Sequence, residues 1–205
     1  MTLRRFALAG AGWLLAVAAH AQERPVDSVV YVLSEASRLE VKTGKAGLLG
    51  FAGHSHLVRA RGFSGRVVYY PSAPADSRVE ISVPTDSLEV LTPPDTEEIR
   101  KVTEAMRGEV LHVDQYPLIT FTSTAVVPTP EGFRVEGQLT MAGQTRAVSA
   151  ELTATVGRDT LLAKGSFSVK QTDFGIRPYR GGPANTVRVG DRVTLTVEAV
   201  AIRAE

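Results

Sequence analysis

The chain of 205 residues contains no cysteine. This absence excludes disulfide bonds, thiolate metal sites, cysteine nucleophiles and a lipid-modified cysteine. A fold made from this sequence must therefore be held together by buried apolar side chains. The length suits one domain with a single hydrophobic core.

Long apolar runs are also absent, except at the N-terminus. Arg4 and Arg5 precede an apolar stretch at residues 6–18, and an A-x-A tripeptide ending at Ala21 follows it. This order is typical of a secretory signal peptide. The alternative, a membrane anchor, would need an apolar run of about 20 residues. We therefore expect a signal peptide at residues 1–21, cleaved after its last residue, and a periplasmic protein.

No block of like charges occurs anywhere in the chain. The 23 basic and 22 acidic residues are spread along it, and cleavage of the leader removes two of the basic ones. Nucleic acids and anionic membrane surfaces attract proteins through clustered lysines and arginines. The sequence therefore predicts neither of them as a partner.

After an exposed lead-in at residues 22–28, most of the chain alternates apolar and polar residues with a period of two. This pattern predicts antiparallel strands that have one dry face and one wet face. With turn signals between the runs, among them MAGQ at residues 141–144, about eight to ten strands are expected, which is enough to close a barrel. The predicted strands include Val29–Leu33 and residues 38–42, 56–60, 63–70, 78–83, 133–141, 148–156, 160–169 and 192–199.

One helix is predicted in this all-β pattern. Thr92 is a suitable N-cap, Pro93 suits the first helical position, and Arg107 and Gly108 suit the last turn and the C-terminal left-handed residue. Such a helix would lie against the barrel or cover its mouth. Its apolar stripe consists of Ile99, Val102, Met106 and Val110.

Several stretches carry a family pattern in the same order. They are FAGHSH at 51–56, RGFSG at 61–65, YPLITFTS at 116–123, VEGQLTMAGQTR at 135–146, and TDFGI at 172–176. Together they resemble the YceI-like family of small, mostly exported bacterial proteins. The resemblance implies an extended antiparallel lipocalin-like β-barrel of about eight strands, spanning residues 29–203, whose interior holds a polyisoprenoid-type chain. The segment at 37–41, SRLEV, lacks the histidine usual in the family's first strands, and either His54 or His56 matches the family's usual histidine.

The exported chain would contain three histidines, His54, His56 and His112. On a strand, His54 and His56 point to the same face. They fit hydrogen bonding to nearby backbone, capping of a ligand headgroup, or, with His112 added, a three-histidine metal site. The first interpretation needs no further residue and is preferred, so no metal is predicted.

Motifs for catalysis are absent. No G-x-S-x-G, G-x-G-x-x-G or G-x-x-x-x-G-K-[ST] pattern occurs. The carboxylates Asp95, Glu97 and Glu98 are explained by the dipole of the predicted helix. We therefore expect a protein that is not an enzyme and that uses no cofactor.

The expected partner is an isoprenoid lipid or a quinone-like ligand. Transient membrane contact during loading is possible. The oligomeric state stays open, and a dimer is one possibility. Two alternatives remain: a histidine-dependent metal-binding protein or enzyme, and an envelope protein with a filled barrel that acts through a protein partner. Polar candidates at the mouth are His54, His56 and Arg177. Apolar candidates for contact with the ligand are Phe51, Phe63, Met106, Phe121, Phe133, Phe167 and Phe174.

Overall fold

The computed structural model describes residues 27–46, 55–92, 96–181 and 187–205. Within these ranges the chain forms twelve strands and one α-helix, α1 (Thr96–Ala105). The strands are β1 (Val29–Leu33), β2 (Arg38–Ala46), β3 (Leu57–Ala60), β4 (Ser64–Tyr69), β5 (Arg78–Pro84), β6 (Leu88–Val90), β7 (Leu118–Thr129), β8 (Gly132–Met141), β9 (Gln144–Val156), β10 (Thr160–Lys170), β11 (Arg180–Gly181) and β12 (Val187–Arg203).

The strands close into an eight-stranded antiparallel barrel, as predicted. The pairing runs β1-β4-β5-β7-β8-β9-β10-β12, and β12 pairs back with β1. Strand β12 is long enough to pair with β1 near its end and with β2 earlier along its length. β2, β3 and β6 pair with one another in that order, as β1, β4 and β5 do, and each extends the corresponding strand along the barrel. Three of the eight barrel strands therefore consist of two segments each, separated by a short turn.

Alternation of side chains explains why these segments became barrel strands. Along β10 every second residue, from Leu161 to Val169, faces inward and is less exposed than its neighbours. Its register against β12 places Phe167 opposite Leu195 and Leu161 opposite Ala201. Because the period is two, this register puts both apolar sets on the inside of the barrel.

The hairpin between β8 and β9 has a two-residue turn, as the sequence predicted for residues 141–144. Ala142 and Gly143 have φ values of 44° and 71°. Two successive positive φ angles define the type I′ turn, whose twist matches the twist of the paired strands. Glycine suits this backbone, and at Gly143 an added Cβ would also lie 2.6 Å from the ring of Tyr116.

Helix α1 differs from its predicted bounds. Its first described residue is Thr96, because the predicted first helical positions at 93–95 lie outside the described residues, and Thr92 accepts a hydrogen bond from the Leu57 amide at 2.8 Å through its hydroxyl oxygen. At the other end a π-helical turn, Met106–Val110, continues α1 through Gly108. The prediction of Gly108 as the left-handed residue was wrong, because His112 adopts that conformation with φ 47°. No described helix is long and apolar enough to cross a membrane.

The predicted signal peptide and the sites Phe51 and His54 lie outside the described residues, as does most of the lead-in. Of the lead-in, only Asp27 and Ser28 are described. The first is exposed and the second is half-buried.

Candidate functional site

An apolar cavity lies at one end of the barrel, which we call the mouth. It has a volume of about 320 Å³ and is bounded by β2, β3, α1 and the segment that follows β10. Most of its wall is aliphatic. Six polar side chains also line it: Thr43, His56, Glu98, Lys101, Gln171 and Tyr179.

Two smaller cavities continue from the mouth cavity into the barrel, with volumes of about 160 and 90 Å³. Neighbouring cavities share lining residues, so the three lie one after another inside the barrel, and we call this series of cavities the tunnel. Its upper neck, between the first two cavities, is lined by Val41, Val58, Leu88, Ile119 and Met141. Its lower neck is lined by Val79, Ile81, Val135, Leu152 and Val197.

The far end of the tunnel has a packed floor. Tyr31, Leu161 and Ala201 are 2%, 7% and 0% exposed and form one cluster. The Tyr31 hydroxyl donates a hydrogen bond of 2.7 Å to the Gly157 carbonyl oxygen. Because the buried phenol is satisfied and the side chains around it are close-packed, the tunnel is blind at this end.

His56 lies at the mouth and is 8% exposed. Its Nδ1 is 2.9 Å from the carbonyl oxygen of Thr92, which can only accept, so Nδ1 carries the proton. In the neutral ring Nε2 is then a hydrogen-bond acceptor. The amide of His56 also donates to the Thr43 hydroxyl oxygen at 2.8 Å. The backbone hydrogen bonding that we preferred for the histidines is therefore present at His56.

The predicted apolar contacts divide into two groups. Met106 lines the mouth cavity, Phe121 and Phe167 line the middle cavity, and Phe133 lines the deepest one. Phe133 also packs edge-to-face on Tyr69, with ring centroids 6.3 Å apart.

Two other phenylalanines line none of the three cavities. Phe63 packs outside the tunnel, against the cluster that contains Val58 and Leu88. Phe174 is 1% exposed and is part of the core beside the mouth.

Arg177 and His112 are both exposed, and neither lines the tunnel. The carbonyl oxygen of His112 accepts bonds from the Gln115 and Tyr116 amides, each 2.9 Å long. Among the residues with described positions, no cluster of three His, Asp or Glu side chains could hold a metal ion. The structure thus brings His56 to the tunnel without His112 or Arg177.

Sequence reasoning missed most of the polar residues at the mouth. Gln171 is 8% exposed, and its side-chain amide donates to the Gly190 carbonyl oxygen at 2.9 Å. Tyr179 follows on the irregular segment between β10 and β11, and Lys101 comes from α1. No motif marks these three residues, because they meet only when α1 and this segment pack at the same end of the barrel.

Sequence comparison finds relatives among bacterial proteins. A UPF0312 protein of Yersinia enterocolitica is 29% identical over 134 residues, covering 62% of this chain and 67% of the relative. A UPF0312 protein of Pseudomonas aeruginosa is 25% identical over 187 residues, covering 84% and 93% of the two chains.

Two solved structures have the same fold. The crystal structure of Burkholderia cenocepacia BcnA matches with a TM-score of 0.65 and 19% identity, covering 82% of this chain and 98% of that one. The YCEI protein of Campylobacter jejuni matches with a TM-score of 0.53 and 15% identity, covering 72% and 84%. The family model for the YceI-like domain matches residues 32–201, nearly all of the barrel. The chain therefore belongs to the YceI-like domain family.

Proposed function

We propose that this protein is an exported periplasmic carrier that binds a long apolar molecule, a polyisoprenoid, a quinone or a related lipid, inside its barrel, and that it catalyses no reaction. The blind apolar tunnel is the observation that carries this proposal. Membership of the YceI-like family supports a binding or carrier role. The interpretation as a filled barrel would require an interior without cavities.

The tunnel geometry favours a ligand with an apolar tail and a polar head. Below the upper neck most of the lining side chains are aliphatic or aromatic. The buried Ser77 also lines the deepest cavity, and its hydroxyl oxygen accepts a hydrogen bond of 3.2 Å from the Tyr70 amide. The polar side chains are concentrated at the mouth, where His56, Gln171 and Tyr179 stand around the first cavity. A few placed polar groups in an apolar pocket are the usual basis of ligand selectivity.

Energetics favours exchange with a membrane rather than capture from water. Burying a forty-carbon tail from water would be worth on the order of 30 kcal/mol, at ~0.8 kcal/mol per carbon. Observed affinities stop at roughly 20 kcal/mol. A bilayer offers the tail an equally apolar environment, so the difference between membrane and barrel is small. A carrier needs such a small difference both to load and to release.

Native mass spectrometry of the purified protein tests the proposal. We expect a co-purifying lipid, and the polypeptide mass should correspond to a chain that begins at Gln22. The substitution Ile119→Trp places a bulky indole ring in the upper neck, so the amount of bound lipid should fall at least tenfold. Overpacking of this kind costs about 1–3 kcal/mol, so thermal unfolding must verify that the variant folds.

The matched control is Leu118→Trp. Leu118 is the adjacent residue on β7 but is 49% exposed on the outer wall. The same substitution there should leave bound lipid unchanged. Protein that carries no lipid after expression in a lipid-rich host would contradict the proposal, and so would equal lipid content in both variants.

A further inference from the structure

Five basic side chains gather on the outer wall beside the mouth, and we call them the basic strip. All five are exposed, and none forms an ion pair with another described residue. The strip consists of Lys42, Lys170, Arg180, Arg188 and Arg192.

Strand register brings these cations together. Lys170 is directly opposite Arg192 on β10 and β12, and Arg180 is directly opposite Arg188 on β11 and β12. Lys42 is opposite Thr194, two residues from Arg192 along β12. Like charges directly opposite each other destabilise a sheet. Two such pairs side by side destabilise the free protein. An anionic partner would remove this repulsion by neutralising the charges.

The strip borders the mouth but does not enter it. Tyr179 and Val189, which line the mouth cavity, are the chain neighbours of Arg180 and Arg188. Val189 and Val193 line the mouth cavity, whereas none of the five cations does, and the pairing of β12 with β2 is irregular between these two valines. The cations therefore lie beside the entrance and not inside it.

Acidic residues offset the strip only in part. Asp191 lies between Arg188 and Arg192 in the chain, and its carboxylate accepts hydrogen bonds from the Thr172 amide and hydroxyl, 2.9 and 2.8 Å long. The Thr172 amide holds the pKa of Asp191 below its usual range, with Lys170 contributing. Asp173 is the other acid in this turn and is exposed.

We propose that the basic strip docks the mouth of the barrel on an anionic phospholipid bilayer. The spread of charge favours a bilayer over a single phosphate group. The five cations come from four strands, β2, β10, β11 and β12, so they are spread over more of the surface than one phosphate group covers. A bilayer presents many anionic headgroups at once, and docking there sets the tunnel entrance against the source of an apolar ligand.

Vesicle co-sedimentation of the full protein tests this proposal, with vesicles of phosphatidylcholine alone and vesicles mixed in equal parts with phosphatidylglycerol. We expect binding only to the anionic vesicles, decreasing with added salt because screening weakens exposed charges. Each basic residue near an anionic surface contributes about 1 kcal/mol, or about fivefold in partitioning. Arg180→Gln/Arg188→Gln should therefore weaken binding roughly 20-fold.

The matched control is Arg66→Gln/Arg78→Gln, which removes the same charge from exposed positions on β4 and β5. It should bind as the unmodified protein does. Equal binding to both vesicle types, or equal loss in the two double variants, would overturn the proposal. So would strip-dependent binding of duplex DNA with no vesicle binding. Vesicle binding is measured without a ligand in the barrel, so a negative result would not contradict the carrier proposal.

Discussion

At the scale of single residues, the shape of the tunnel depends on a glycine whose surroundings leave no space for a Cβ atom. Gly137 is buried on the inner face of β8, and the ring of Phe121 lies over it. A Cβ at this position would lie 2.5 Å from the Phe121 ring and 2.5 Å from the Thr122 carbonyl oxygen. The glycine therefore lets an aromatic ring lie flat against the barrel wall and leaves the middle cavity open.

We expect Gly137→Ala to lower the free energy of unfolding by about 1–3 kcal/mol, because the Thr122 backbone cannot move away from the new methyl group. Urea denaturation measures the change. Gly108→Ala is the control, since a Cβ there meets nothing within 4 Å and the residue lies in a helical turn. Its unfolding free energy should stay the same or rise by up to about 1 kcal/mol. Equal losses in both variants would contradict the explanation by close packing.

At the scale of elements, we expect α1 to be less stable than the barrel strands beside it. None of its residues is buried, and Ile99 and Val102 pack from one side on the cluster below. Its own stability comes partly from Arg100, which forms ion pairs with Glu97 and Glu104 on the exposed face. Such exposed pairs contribute little to stability, because water screens their charges.

Hydrogen exchange should reveal this difference. We expect the amides of α1 to exchange through local opening well before those of β8, which is paired on both sides. Adding a lipid that binds should slow exchange in α1, because α1 forms one wall of the mouth cavity. Exchange in α1 as slow as in β8 without lipid would show that the helix is not a separate, weaker unit.

At the scale of the whole molecule, the described part of the barrel has the mouth cavity at one end and a packed floor at the other. The Tyr31 floor closes the tunnel opposite the mouth, so a ligand must enter past α1 and the polar residues beside it. A closed barrel also leaves few strand edges to pair with other chains. Loading and release are therefore expected to use the same opening.

A single introduced thiol tests this one-ended access, because the chain contains no cysteine. Met106→Cys modified with a maleimide-linked polyethylene glycol should take up lipid at least tenfold more slowly, since Met106 lines the mouth cavity. Val32→Cys carries the same modification on the outer wall, where Val32 is 46% exposed, and should load normally. Lipid uptake can be followed by fluorescence of a labelled tail. Equal slowing in both would mean that entry is not confined to the mouth.

The sequence predicted the barrel well because its signals are local. A period of two follows from the geometry of any extended chain, so the inner and outer faces of β10 could be assigned before pairing was known. The Ala142-Gly143 turn was recognisable for the same reason. Prediction was poorer at the helix. Gly108 satisfied the C-terminal capping rule, but the π-helical turn carries the helix past it.

By itself, the sequence determined where strands form and which faces are apolar, since these follow from neighbouring residues along one backbone. Only the tertiary structure decided which residues share the mouth. His56, Gln171 and Lys101 come from distant segments, and Arg180 meets Arg188 only through the register of β11 on β12. A chain without a basic block thus acquires a basic strip, because strand pairing and barrel closure set charges from separate segments side by side.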